Sequence, residues 1–236
     1  MKIIELHEPV TAVNDREADA LRERLKNNGQ FLVNLMSSPG SGKTTLLARL
    51  IRDLRDTLSI GVIEADIASD VDARAVEALG AMSIQAHTGG CCHMDAAMTA
   101  EALAGFSEER PELLFLENVG NLICPAEFDT GAHRNLMILS VTEGDDKPLK
   151  YPLMFETSDA LVISKIDALP YFDFDLAAAK ARAEMLHPGI PVFSVSAKTG
   201  EGMDALEEWI REERQKVLAE RAEKAPASGE GDPCHA

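Results

Sequence analysis

Short apolar runs recur along the chain, and most are followed by a stretch whose apolar positions return every three or four residues. The runs at residues 31–36, 59–66, 82–86, 111–120, 134–141, 159–167 and 190–195 read as buried strands, several rich in Val, Ile, Leu and Phe on both faces. Residues 43–57, 71–79, 96–103 and 203–222 have helical spacing, the last an amphipathic helix holding Trp209. Alternating strands and helices predict an α/β fold, a mostly parallel sheet with helices on both faces. Ahead of the first strong strand, residues 1–13 are weakly strand-like and contain Pro9. Asn14 followed by Glu17 reads as a capping box, with Ala18, Leu21 and Leu25 on one helical face and Gly29 ending the helix. Residues 1–30 thus form an appendage and helix, 31–222 the main domain, and 223–236 a small, polar tail expected to be disordered. No internal repeat is evident.

Between the first strand and the helix at 43–57 lies Ser37-Ser38-Pro39-Gly40-Ser41-Gly42-Lys43-Thr44-Thr45. This strand–loop–helix context makes it a phosphate-binding P-loop. Gly40, Ser41 and Gly42 curl the backbone so that its N–H groups face a triphosphate. Lys43 brings a positive charge to the β- and γ-phosphates, Thr44 offers a hydroxyl to Mg²⁺, and Thr45 continues into a helix whose dipole faces the anion. The first position is Ser37 where the common pattern has Gly.

Two later strands end in carboxylates. Asp66 closes one of them, near Mg²⁺ or the attacking water, and reads equally as a cap for the helix at 71–79. Glu117 and Gly120 have the placement of a Walker B carboxylate and its switch glycine, with Glu117 reaching Mg²⁺ through water and the Gly120 N–H reaching the γ-phosphate. Many GTPases carry Asp-x-x-Gly there. Ser164-Lys165-Ile166-Asp167 follows another strand: the Asp167 carboxylate matches the two donors of guanine, and the Lys165 stem lies along the purine. Ser164 replaces the common Asn, which weakens one supporting hydrogen bond. Ser196-Ala197-Lys198 supplies the matching second loop around the base. In this order and spacing the four motifs select GTP/GDP over ATP. Asp167 argues against the rival of another class, a P-loop small-molecule kinase.

With 45% hydrophobic residues among 236, the core is amply supplied, and no apolar run approaches membrane-spanning length. The start lacks the apolar stretch of a signal peptide, so cytoplasmic residence is expected. Lys and Arg total 23 against 40 Asp and Glu, a net charge of −17, which disfavours nucleic acid and anionic membranes as partners. The four cysteines, Cys91, Cys92, Cys124 and Cys234, then suggest thiol or metal chemistry before disulfides. Cys92 and His93 at a loop-to-helix start, with Cys124 just beyond Gly120, could converge on Ni²⁺ or Zn²⁺. The same cysteines read as readily as small buried hydrophobes, with His93 as a helix-start residue. His187 lies at a helix end, and His7, His87 and His133 have no evident partners in the sequence.

The signatures at 37–45, 64–72, 89–95, 117–125 and 143–152 resemble those of the hydrogenase nickel-incorporation GTPase family (HypB), over about residues 10–215. The resemblance implies a Mg²⁺-dependent GTPase homodimer that inserts Ni²⁺ into [NiFe]-hydrogenase precursors, working with other hydrogenase maturation proteins and the hydrogenase large subunit. It implies a metal site between subunits at Cys92, His93 and Cys124. The sequence begins Met1-Lys2-Ile3-Ile4 without the Cys-rich or His-rich stretch of some members, so nickel storage is not expected. No Gln or Arg is evident where a fast GTPase keeps one, which predicts slow turnover. A urease-type nickel accessory GTPase is the near alternative; its ligands form a Cys-Pro-His run, whereas Cys124-Pro125 is followed here by Ala126. A third reading is a metal-binding module that holds nucleotide only as a structural ligand.

Overall fold

The computed structural model describes residues 10–65, 76–106 and 108–224. Asp66, the helix expected at 71–79 up to residue 75, and the tail with Cys234 and His235 lie outside them.

The apolar runs become a seven-stranded, all-parallel sheet. Its strands are β1 (Phe31–Ser37), β2 (Ile60–Ala65), β3 (Met82–Ala86), β4 (Leu113–Glu117), β5 (Arg134–Ser140), β6 (Ala160–Ser164) and β7 (Val192–Ser194), in the order β3-β2-β4-β1-β5-β6-β7. β1 is central, and every residue in it is buried. It pairs with β4 on one side (Leu35 opposite Glu117) and with β5 on the other (Leu35 opposite Leu136). The connection from β1 runs to β2 on one side and that from β4 to β5 on the other, so the crevice at the carboxyl ends of β1 and β4 is where an open α/β sheet takes its ligands.

Helices cover both faces. α2 (Lys43–Leu54) buries Leu46, Leu47, Leu50, Ile51 and Leu54 against Val33, Leu35 and Phe115, and α8 (Met203–Lys224) adds Leu206 and Ile210 to this layer. Each such leucine or isoleucine contributes about 1.5–3 kcal/mol on burial. The opposite face is covered by two groups. α1 (Val10–Asn27) and α3 (Ala96–Leu103) cover Leu32, Leu114 and Leu116. α6 (Pro152–Glu156) and α7 (Leu176–Leu186) cover Met137, Leu139, Leu161 and Ile163. Two single-turn helices, α4 (Cys124–Glu127) and α5 (Lys147–Lys150), lie in the connections on either side of β5.

The N-terminal helix departs from its expected start. It is already helical at Val10, so Asn14 stands inside it and does not cap it. Asn14 is buried; its Nδ2 donates to the Asp129 carbonyl (2.9 Å), and its Oδ1 accepts from the Ala96 N–H (3.0 Å). Tertiary partners won over local capping. Gly29 does end the helix, at φ 77°, where Gln30 N–H returns to the Leu25 carbonyl and Gly29 N–H to that of Lys26.

Candidate functional site

The P-loop leaves β1 and enters α2 through Gly42, whose φ of 97° suits a residue without a side chain. A Cβ there would also meet the Lys165 side chain at 3.4 Å. Ser37 has a local reason to be serine. Its hydroxyl accepts from Lys43 Nζ (2.9 Å) and Ser41 Oγ (2.6 Å) and donates to the Ser38 carbonyl (2.8 Å). The first residue of the loop therefore positions its lysine, while Thr45 faces outward from the first helical turn.

Thr44 Oγ1 lies 3.0 Å from Glu117 Oε1. A hydroxyl and a carboxylate beside a phosphate cradle form the hard oxygen pair that suits Mg²⁺, so the donor set fits that ion. Gly120 passes directly over the P-loop, where a Cβ would come within 3.0–3.2 Å of Pro39 side-chain and backbone atoms. A second carboxylate joins Glu117: Glu143, in a capping box with Ser140, also accepts from Ser38 of the P-loop. Burial pushes the Glu143 carboxyl above its usual range, against the pull of the Ser140 N–H and Lys147.

The loops expected to read the base meet beside the P-loop. Ser164, in place of the common Asn, donates to the Ser41 carbonyl (2.8 Å), so the supporting bond expected to weaken is made by the shorter side chain. Lys165, at φ 60°, donates to the Gly40 carbonyl (2.7 Å). Asp167 is exposed, with one carboxylate oxygen held by Ser196 Oγ (2.7 Å). Ser196 also anchors the turn through Ala197 and Lys198 by accepting from the Thr199 N–H (3.2 Å) and, at its carbonyl, from the Gly200 N–H (2.8 Å).

The sulfur and nitrogen donors gather on the far side of Glu117. The ligand atoms of Cys92, His93 and Cys124 all lie within 4.8 Å of one another, the only such cluster found among the described residues. Cys92 Sγ is 2.8 Å from Cys124 Sγ and 3.8 Å from His93 Nδ1. Cys91 and Cys92 are exposed and Cys124 is half-buried; none of the three is a core residue, which removes the small-hydrophobe alternative. The hydrogen bond to Cys124 raises the Cys92 thiol above its ordinary value, so a cation that takes both sulfurs displaces a proton here. Cys92 and His93 sit ahead of α3, which begins at Ala96 with Asp95 as its cap, accepting from the Met98 N–H (2.8 Å). Cys124 is the first residue of α4.

Sequence reasoning passed over what holds these donors. The His93 ring stacks on Phe128, centroids 3.9 Å apart and planes 14° apart. Asn121 Nδ2 donates to the Cys92 carbonyl (3.3 Å), Asn118 Oδ1 accepts from the Met94 N–H (3.2 Å), and Asn14 Oδ1 accepts from the Ala96 N–H. Asparagine has no pattern that marks such a role; only a short-range capping signal was visible at Asn14, and it pointed elsewhere.

The family model for the CobW/HypB/UreG nucleotide-binding domain matches residues 31–194. The hydrogenase maturation factor HypB of Rhizobium leguminosarum bv. viciae is 46% identical over 209 residues, covering 89% of this chain and 70% of that protein. The hydrogenase/urease maturation factor HypB of Helicobacter hepaticus is 41% identical over 217 residues, covering 90% of this chain and 89% of that one. Among solved structures, HypB from Helicobacter pylori in complex with nickel superposes with a TM-score of 0.82 at 37% identity, covering 87% of this chain and 97% of that chain.

Proposed function

The chain belongs to the CobW/HypB/UreG family as a HypB hydrogenase maturation factor, a nickel-related P-loop GTPase, and on that premise we propose that it couples GTP-driven homodimerisation to insertion of Ni²⁺ into a [NiFe]-hydrogenase precursor. One observation carries the proposal. The Cys92–His93–Cys124 cluster and the Thr44–Glu117 pair flank the same strand end, only six residues lying between Glu117 and Cys124.

In this reading GTP is held by Gly40, Ser41, Gly42, Lys43, Thr44 and Thr45, and guanine by Lys165, Asp167 and the 196–198 turn. Thr44 and Glu117 would hold Mg²⁺, which when bound offsets charge on the phosphate oxygens. Lys43, with the P-loop amides, stabilises the charge that develops as water adds to the γ-phosphorus and the bond to the bridging oxygen breaks, giving GDP and phosphate. Gly120, tied to the γ-phosphate through its N–H, carries the change along the chain towards Cys124.

Nickel is the cargo. Two thiolates and one imidazole leave one position open in a four-coordinate site, and pairing two chains about a two-fold axis would let ligands be shared or bridged. The acceptor is the hydrogenase large subunit, reached with other maturation proteins. Urease as a further acceptor gains support from the Helicobacter hepaticus relative, whose name covers both enzymes. The test is Ni²⁺ titration against a chromophoric chelator, beside phosphate release from GTP, for wild type, Cys92→Ala and Cys124→Ala. Each variant should lose tenfold or more of its Ni²⁺ affinity, on the order expected for removing a ligand, and still hydrolyse GTP. Variants that bind Ni²⁺ as tightly as wild type would place the site elsewhere, with Cys234 and His235 the next candidates.

A further inference from the structure

We propose that Asn118, with Asn121, is the positioning device that transmits the nucleotide state to the metal loop. The inference rests on the coupling proposed above and assigns residues to it. Glu117 is the last residue of β4, and Asn118 extends the strand by donating its N–H to the Leu35 carbonyl (3.1 Å). Successive side chains on a strand point to opposite faces. Glu117 meets Thr44 of the P-loop, and Asn118 faces the layer of α1 and α3, where its amide is almost fully buried. Any displacement of this one peptide unit is therefore felt on both faces of the sheet.

On its own face the Asn118 amide makes three hydrogen bonds. Its Oδ1 accepts from the Met94 N–H (3.2 Å) and from the Val119 N–H (2.9 Å), and its Nδ2 donates to Asn34 Oδ1 (3.1 Å). Asn34 Nδ2 donates to Asn135 Oδ1 (3.0 Å), and Asn135 Nδ2 to the Thr157 carbonyl (3.3 Å). Two backbone N–H groups aimed at Asn118 fix which atom is oxygen, and the polarity of every later amide follows from that choice. The result is a one-directional chain of four hydrogen bonds, from Met94 to Thr157, crossing β4, β1 and β5. The first two bonds of the chain are buried, where aligned bonds strengthen one another, so the sheet acts as the fixed reference against which the metal loop is placed.

Asn121 makes the second tie. Its Oδ1 accepts from the Ile123 N–H (2.9 Å), one residue before Cys124, while its Nδ2 holds the Cys92 carbonyl. The segment from Glu117 to Cys124 thus grips the Cys92–His93 loop at residue 94 through Asn118 and at residue 92 through Asn121. When Gly120 is drawn to or released from the nucleotide, the Asn121 grip moves with it while the Asn118 grip stays with the sheet. The distance between Cys92 and Cys124, and with it the affinity for a thiophilic cation, changes accordingly.

The experiment measures Ni²⁺ affinity by chelator competition in the GDP state and with a non-hydrolysable GTP analogue, and takes the ratio. Wild type should show a ratio of about fivefold or more in either direction. In Asn118→Ala and in Asn121→Ala the ratio should fall to within about twofold, with metal still bound through Cys92 and Cys124. A merely structural role would lower the affinity in both nucleotide states by the same factor and leave the ratio intact, and that result would overturn the inference. Asn121 is partly exposed and outside the core, so if Asn118→Ala does not fold, a wild-type ratio in Asn121→Ala alone overturns it. A wild-type ratio of one would remove the proposed coupling itself, whereas a coupled wild type with coupled variants would remove only the role of the two asparagines.

Discussion

Asp167 presents a carboxylate whose one oxygen is set by Ser196, and in the proposed reading its oxygens accept from the N1–H and N2–H₂ donors of guanine. Asp167→Asn replaces an acceptor with a donor and should weaken GTP binding by about 1.5–3 kcal/mol, while improving binding of xanthosine triphosphate. Equal GTP affinity in the variant would remove the assignment. Lys43→Ala should abolish phosphate release with the fold retained, since the lysine rests on Ser37 at the loop and not in the core. His133 is a different kind of residue, stacked on Phe31 and bonded through Nδ1 to the Leu32 N–H (3.0 Å). Burial lowers its pKa from 6.5 to about 4. Between those values the unfolded chain takes up a proton that the folded chain refuses, so stability falls as pH drops through this window. From pH 7 to pH 5 the loss should be about 2 kcal/mol. Burial raises the carboxyls of Glu143 and Asp159, which act in the opposite sense, so the measurement is the difference in urea unfolding between wild type and His133→Gln at the two pH values. An equal pH response in both proteins would contradict the account.

Among the elements, α1 does more than cover the sheet. Asn14 bridges the start of α3 to the Asp129 carbonyl, next to Phe128, and so braces the two loops that carry His93 and Cys124. Asn14→Ala strands a buried N–H and a carbonyl and should cost about 1–3 kcal/mol in urea unfolding. It should also weaken Ni²⁺ binding, and a variant as stable as wild type would contradict this role. How much could be read from sequence follows the range of the interactions concerned. The strands and the P-loop were legible because hydrophobic runs and glycines act locally, and α3 occupies the residues its periodicity predicts. Ser37 and Ser164 looked like departures because their partners, Lys43 and the Ser41 carbonyl, are defined only once the loop closes. Asn14 was misread for the same reason: its capping pattern is local, whereas its partners lie 82 and 115 residues away. The Cys-His and Cys segments could be named separately, but only the parallel pairing of β2 with both β3 and β4 brings the loops that follow β3 and β4 together.

For the whole molecule, charge and apolar surface point in different directions. A net charge of −17 keeps copies apart, yet Ile123, Leu149, Leu153, Tyr171 and Phe172 are all exposed. Ile123 adjoins Cys124, and α4 packs against α6, which carries Leu153, so part of this apolar surface borders the metal cluster. Burying it between two chains would give each the further ligands that its own three donors lack. Among the described residues no helix is long and apolar enough to cross a membrane. The most direct test of the central claim is sedimentation velocity with GDP and with a non-hydrolysable GTP analogue, each with and without Ni²⁺. The dimer should form with the analogue, and Ni²⁺ should shift the monomer–dimer midpoint in wild type but not in Cys124→Ala. A midpoint that ignores both nucleotide and Ni²⁺ would contradict the coupling of GTP, dimer and metal.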